Sequence, residues 1–286
     1  MADSAIGVFA ISTLTLSMPL VLAAMGGLTS ERSGVINIGL EGKMLGGAAT
    51  FAIVATHTHS GFIGLAAGIG AAILLSLLHW LMTQTYRIDH IISGMAINAI
   101  ALGGSNFLDR KFLDPSHSGA VPSIAPSLYY VVAAAIPVLL AVYLWRARGG
   151  LRLLAVGEDP SKARQMGVSP VRVRLLALIA TGVFCGLAGA LVVSQATRFV
   201  DGMTAGRGFI ALAALILGGW RPIPAALACL AFGMFQALQI QLQGTELAGA
   251  RIPPEVWQSV PYLVTVIALA GFMGKQSRAP SGLGKA

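Results

Sequence analysis

The chain has 286 residues, 56% of them apolar and only 10% charged, with a mean hydropathy of +0.78. Soluble domains carry about 25% charged residues, so this chain has too little charge for a water-facing surface. Collagen, a disordered chain and a disulfide-stapled secreted scaffold are excluded with it. The net charge of +8 has to be located before it is given a meaning, because basic residues of membrane proteins gather on the cytoplasmic side. With 35 glycines and few aromatics, helices are expected to pack closely through small residues.

A spanning helix needs about 20 mostly apolar residues to cross a hydrocarbon core of roughly 30 Å. No Asp, Glu, Lys or Arg occurs from Ser4 to Ser30, which predicts a first span over 6–28. The 43 residues between Lys43 and Arg87 are also uncharged. As one helix they would be a rod of about 65 Å, twice the membrane. They must fold back, and His57-Thr58-His59-Ser60-Gly61 is the polar break available. Further spans are expected over 91–108, 124–145, 175–197, 223–243 and 256–274. Between Arg207 and Arg221 only Gly208 to Trp220 are uncharged, about 20 Å of helix. Either the arginines snorkel, or the helix is short and opens on a water-filled cavity. The reading is an all-α polytopic membrane protein of about nine crossings, within a range of roughly eight to ten.

Orientation follows from the basic residues. Arg146, Arg148, Arg152, Lys162, Arg164, Arg172 and Arg174 crowd one stretch. If that stretch is cytoplasmic, alternation adds Arg32, Lys43, Arg87, Arg221, Lys275, Arg278 and Lys285 to the same side. Arg110, Lys111, Arg198, Arg207 and Arg251 remain outside. This asymmetry fits the positive-inside rule and puts the N-terminus outside and the C-terminus in the cytoplasm. The leader lacks the basic n-region of a cleavable signal peptide. The +8 is then a cytoplasmic excess and no sign of nucleic acid.

Four segments depart from plain lipid-facing helix. In Arg146–Arg174, Pro160 suits a first helical turn. Glu158 and Asp159 favour the positive end of its dipole, and Gly167 is a stop. A short helix over Ser161–Met166 is expected, either as a solvated connector or as a docking element for a soluble partner. In Gly34–Lys43, glycines alternate with Asn37 and Glu41. A charge at the centre of a spanning helix costs about 2.5–3.5 kcal/mol. Glu41 therefore lies at the interface paired with Lys43 or Arg32, lines a cavity, or belongs to a simple turn. Gln236, Gln239 and Gln243 share one helical face, as do Asn98 and Ser105. Such amides either bond neighbouring helices or line a polar route. In Thr204–Phe209, an arginine between glycines either contacts a polar solute or anchors a helix at the headgroups.

Several chemistries find no support. The phosphate-binding pattern Gly-x4-Gly-Lys-Ser/Thr is absent: Met44 follows Gly42-Lys43, and Asn37 stands where the first glycine belongs. His57 and His59 have neither carboxylate nor third histidine beside them and read as a turn. Cys185 and Cys229 lie in apolar stretches and read as small hydrophobes. No nucleophile–base pair assembles, so the chain is not read as an enzyme.

Taken in order, four stretches resemble the permease subunits of bacterial ABC importers, in the simple-sugar and nucleoside group related to the ribose and branched-chain amino acid permeases. They are Gly27-Leu28-Thr29-Ser30-Glu31-Arg32-Ser33-Gly34-Val35-Ile36-Asn37-Ile38-Gly39-Leu40-Glu41-Gly42, Ile92-Ser93-Gly94-Met95-Ala96-Ile97-Asn98, the run from Ala155 to Ala163 with Gly167, and Met203 to Ala214. The family usually has Asn at the place of Asp159, Ala at that of Lys162 and Gly at that of Pro224.

The resemblance implies the ABC-importer permease fold, with one transmembrane domain over 1–275, a docking loop over 146–174 and a cytoplasmic tail over 276–286. It implies a subunit of the bacterial inner membrane forming half of a pathway for nucleosides or related small polar solutes, a simple sugar such as ribose being the alternative. A longer related permease would complete a heterodimer, and an extracytoplasmic binding protein would deliver solute. A separate ATPase, carrying ATP and Mg, would dock on Glu158, Asp159, Pro160, Ser161, Lys162, Ala163, Arg164 and Gly167. No cofactor is expected on this chain. Pathway candidates are Asn37, Glu41, Ser93, Asn98, Thr204, Arg207, Phe209, Gln236, Gln239 and Gln243, the glutamine row resting on its spacing alone. A transporter or channel working without an ATPase is the rival reading, and it would need Glu41 as its ion site.

Overall fold

The computed structural model describes residues 2–113, 120–242, 246–247, 250–251, 263 and 279–285. Among these residues, apart from one antiparallel pair of two-residue strands, Glu246–Leu247 with Ala250–Arg251, the regular structure is helical. The helices are α1 (Ala2–Arg32), α2 (Leu40–Thr58), α3 (Gly61–Trp80), α4 (His90–Phe112), α5 (Pro126–Arg146), α6 (Arg148–Glu158), α7 (Pro160–Gln165), α8 (Pro170–Ala196), α9 (Arg207–Leu217) and α10 (Pro222–Leu242). A π-helical turn, Leu81–Thr85, prolongs α3. Among the described residues, six helices, α1, α3, α4, α5, α8 and α10, are long and apolar enough to cross a membrane. Where a hairpin of two spans is expected, a helical hairpin is present, with α3 but not α2 among those six: α2 ends at Thr58, His59 turns through a left-handed φ of 50°, and the Ser60 hydroxyl caps α3. The span expected over 256–274 lies outside the described residues.

In lipid, apolar side chains gain little by leaving the solvent, so close backbone approach must hold the bundle. Glycines supply it. A Cβ on Gly189 of α8 would run into the Met44 carbonyl of α2, and one on Gly182 would stand 2.6 Å from the Ile73 Cα of α3. Gly64 and Gly68 of α3 meet α2 in the same way, and Gly233 of α10 meets Ser17 of α1. These contacts gather α1, α2, α3, α8 and α10 around a core that includes Leu22, Met25, Leu28, Met44, Phe51 and Leu191. The outer faces present Ile11, Phe62, Leu74, Leu139, Leu176 and Leu227, as suits hydrocarbon.

Two helices begin inside the bundle. The chain leaves α1 at Arg32, turns at Gly34 (φ 94°) and runs without regular structure to Leu40, where α2 starts. Ile36 N donates to His90 Nδ1 at the first residue of α4, and Gly42 N donates to Asn98 Oδ1 eight residues later. Eight residues of α4 are about 12 Å, so α2 begins well in from that end. α9 has 11 residues, about 16 Å or half the hydrocarbon thickness. Trp220, just past its far end, meets Glu31 and Arg32 at the end of α1.

Candidate functional site

At one end of the bundle α6 and α7 form an elbow between α5 and α8. The sequence reading missed α6, although Leu153 and Val156, which the fold buries, stand three apart in it. α7 runs over Pro160–Gln165, one residue ahead of the expected span, because Pro160 takes the first helical position. Asp159 Oδ1 accepts from Ser161 N and Lys162 N, both at 3.0 Å, and Oδ2 pairs with Lys162 Nζ at 3.2 Å. The backbone N–H of Lys162, above all, holds the Asp159 carboxyl below the usual carboxylate range. Asp159 thus serves as the cap that an Asn at this position would supply. Glu158 turns away from the α7 dipole. It accepts from Ser281 N and Oγ and stands 4.0 Å from Arg32.

The elbow is tied to the segment between α1 and α2. Gly282 N donates to Gly157 O and Gly284 N to Gly34 O. Arg174, buried at the start of α8, donates to Ser33 O, Gln84 Oε1 and Lys285 O. Ala163 packs inward while Lys162, Arg164 and Met166 face out, Met166 at 84% exposure. Ser161, Lys162, Ala163, Arg164 and Gly167 are therefore together on a capped turn that projects from the bundle end.

Deeper in, polar residues hold the two helix starts. Asn98 accepts from Gly42 N and donates to Ile38 O at 3.1 Å, clamping both sides of the start of α2. Glu41 pairs with neither Lys43 nor Arg32. Its carboxylate accepts from Gly206 N at 2.8 Å and Gly208 N at 2.6 Å, at the first turn of α9. Amide donors and helix dipole both favour a carboxylate there. Ala205 and Gly206 turn at φ 46° and 80° to bring those amides round. Arg207 folds back to donate to Met203 O, and Phe209 is 47% exposed beside it.

Lys43, assigned to the cytoplasmic charge excess on sequence, is fully buried. Its Nζ donates to Asn37 Oδ1 at 2.8 Å and lies 3.0 Å from His79 Nδ1. Asn37 donates onward to Ser30 Oγ and, from its backbone, to Glu31 Oε1. Trp220 Nε1 donates to Glu31 Oε2 at 2.5 Å. Of this network of Glu31, Asn37, Lys43, His79 and Trp220, sequence reasoning named Asn37 as a candidate and missed how the others join it. Glu31, Asn37 and Lys43 are six residues apart in turn, but His79 and Trp220 come from 36 and 189 positions away.

The remaining candidates separate. Asn37, Ser93 and Thr204 are buried, Ser93 against Met82 Sδ. Ser105 is buried and bonds its own helix at Leu102 O. Glu41, Asn98 and Arg207 are half-buried and share the region where α2, α4 and α9 meet. Gln236 and Gln239 are half-buried on α10, and Gln243 lies outside the described residues. His57 Nδ1 donates to Ile53 O within the last turns of α2, its ring meets Phe112 edge-on, and the chain turns at His59.

A family model described as "Branched-chain amino acid transport system / permease component" matches residues 9–269. The chain belongs to this family. The permease is 35% identical to the guanosine ABC transporter permease protein NupQ of Bacillus subtilis, over 92% of the chain and 91% of that protein. It is 35% identical to the nucleoside ABC transporter permease protein NupC of Lactococcus lactis, over 92% and 91%. It is also 32% identical to a putative glucose ABC transporter permease protein, TsgC13, of Haloferax volcanii, over 91% and 89%. A second guanosine permease protein of Bacillus subtilis, NupP, is 25% identical over 76% and 69%. Among solved structures, PsaBC of Streptococcus pneumoniae has the same fold, with a TM-score of 0.54, 15% identity and coverage of 93% and 92%. The permease is a multi-pass membrane transport protein.

Proposed function

We propose that this permease forms half of the translocation pathway of an ATP-driven importer for nucleosides in the bacterial inner membrane. The observation that supports it most is the elbow: a capped, outward-facing α7 stands where the ends of α1, α8 and α9 and the 279–285 segment converge. A soluble ATPase gripping α7 would move that junction as a unit. ATP and Mg then belong to the ATPase, and this chain binds no cofactor of its own.

The half-buried region of Glu41, Asn98 and Arg207 is open for a second subunit to complete. Bacillus subtilis has two permease proteins named for guanosine, and the weaker likeness to NupP supports a longer related permease as partner, with an extracytoplasmic protein delivering solute. Nine crossings, with the N-terminus outside and α7 in the cytoplasm, fit the basic excess at the elbow end. The names of NupQ and NupC favour a nucleoside, and that of TsgC13 keeps a simple sugar as the second reading. A carrier without ATPase is less well supported, because Glu41 is occupied by two backbone amides rather than held free for an ion.

The docking assignment is tested by deleting Ser161–Gly167 and co-purifying the complex. Loss of the ATPase with the second permease retained is the expected result. ATPase association and coupled uptake that survive the deletion sink the assignment.

A further inference from the structure

A cavity of about 730 Å³ opens between α5, the start of α6 and α8, and no described residue of α2, α4 or α9 lines it. Its better-covered wall is apolar: Ile136, Leu140, Ala177 and Phe184 line it, with the buried Thr29 of α1 beside them. Its mouth is different. Arg152 of α6 and Arg172 of α8 both line it and both are exposed. No carboxylate is among the described residues that line it.

The level of the two arginines follows from the helix ends. α5 finishes at Arg146 and α8 begins at Pro170, so Arg152 and Arg172 stand where the spanning helices leave the hydrocarbon. A slot that is apolar along its depth and doubly cationic at its rim matches one kind of molecule, an amphiphile with an anionic head. Basic pockets between spanning helices on the cytoplasmic side take anionic lipid headgroups on this logic. Leu139 and Leu176, at 65% and 66% exposure, leave the slot open towards the membrane for an acyl chain to enter sideways. The apolar residues at that opening argue against a soluble phosphate compound.

We propose that this cavity is a binding site for an anionic phospholipid, whose phosphate bridges Arg152 and Arg172 while an acyl chain lies along α5 and α8. The lipid would join the two ends of the docking segment, since Arg152 precedes α7 and Arg172 follows it. The inference rests on the helices spanning a membrane and not on the nucleoside reading.

The assembled complex, purified from membranes containing phosphatidylglycerol and phosphatidylethanolamine, is analysed by native mass spectrometry for retained lipid. Phosphatidylglycerol retention is expected to fall about fivefold in Arg152→Gln and again in Arg172→Gln, on the usual strength of one basic side chain at a membrane surface. Arg152→Lys and Arg172→Lys should keep most of it. Leu139→Trp, which fills the slot, should expel the lipid with both arginines intact. Arg148→Gln removes an exposed charge that does not line the cavity and should change nothing. Equal retention in wild type and both glutamine variants overturns the site. An equal loss in Arg148→Gln also overturns it, by showing only diffuse attraction to a basic surface.

Discussion

Glu41 is the residue on which the most geometry turns. Its two oxygens each take one backbone N–H of the α9 start, and hydrogen bonds to a charged partner are worth about 1.5–3 kcal/mol each. Glu41→Gln keeps one acceptor oxygen and turns an amide N–H₂ towards a donor. Thermal unfolding of the purified complex should shift down, and initial uptake should fall by roughly tenfold as the α9 start frays. Wild-type uptake in this variant would show that the contact is incidental. Asp159 gives a gentler test. Because the folded carboxyl is held below its ordinary range, its capping is complete above that range and fails only as pH falls through the lowered value. ATPase association should therefore be flat across about pH 5–8, unchanged in Asp159→Asn and weakened in Asp159→Ala. The Asp159 cap was legible because its partners are two and three residues away. Glu31 and Trp220 are separated by 189 positions, and no local pattern announces that pair.

Among the elements, α9 and the start of α2 carry the geometry around Glu41. The 13-residue gap between Arg207 and Arg221 left two readings, snorkelling arginines or a short helix, and the 11 residues of α9 are the short helix. That Glu41 would close its open end was not legible, since carboxylate and amides come from helices distant in sequence. The hairpin of α2 and α3 was legible, because an uncharged run of 43 residues cannot cross once. α6 was not, because its glycines and arginines look like loop. The glycine seam gives a paired test. Gly189→Val places a side chain against the Met44 carbonyl, whereas a Cβ on Gly70 meets nothing within 4 Å. The first should lower membrane yield and thermal stability, overpacking costing about 1–3 kcal/mol or more. The second should behave as wild type. Equal losses in both would mean that helix propensity, not close packing, decides the effect.

Over the whole molecule, the low charge content marked a membrane protein, and the few charges mark the places that matter. Those at the elbow end, with Arg32, Glu158 and Arg174 interlinked through the backbone and the 279–285 segment, gather the surface on which an ATPase would act. Lys43 and Arg207 were counted with the two faces on sequence. The fold draws both inward, because each finds oxygen acceptors there. The central claim, nucleoside import driven by a docked ATPase, is tested most directly by uptake of labelled guanosine into vesicles containing the complete complex. Unlabelled guanosine and uridine should compete, ribose should not, and uptake should require ATP. Uptake blocked by ribose alone, or proceeding without ATP, would contradict it.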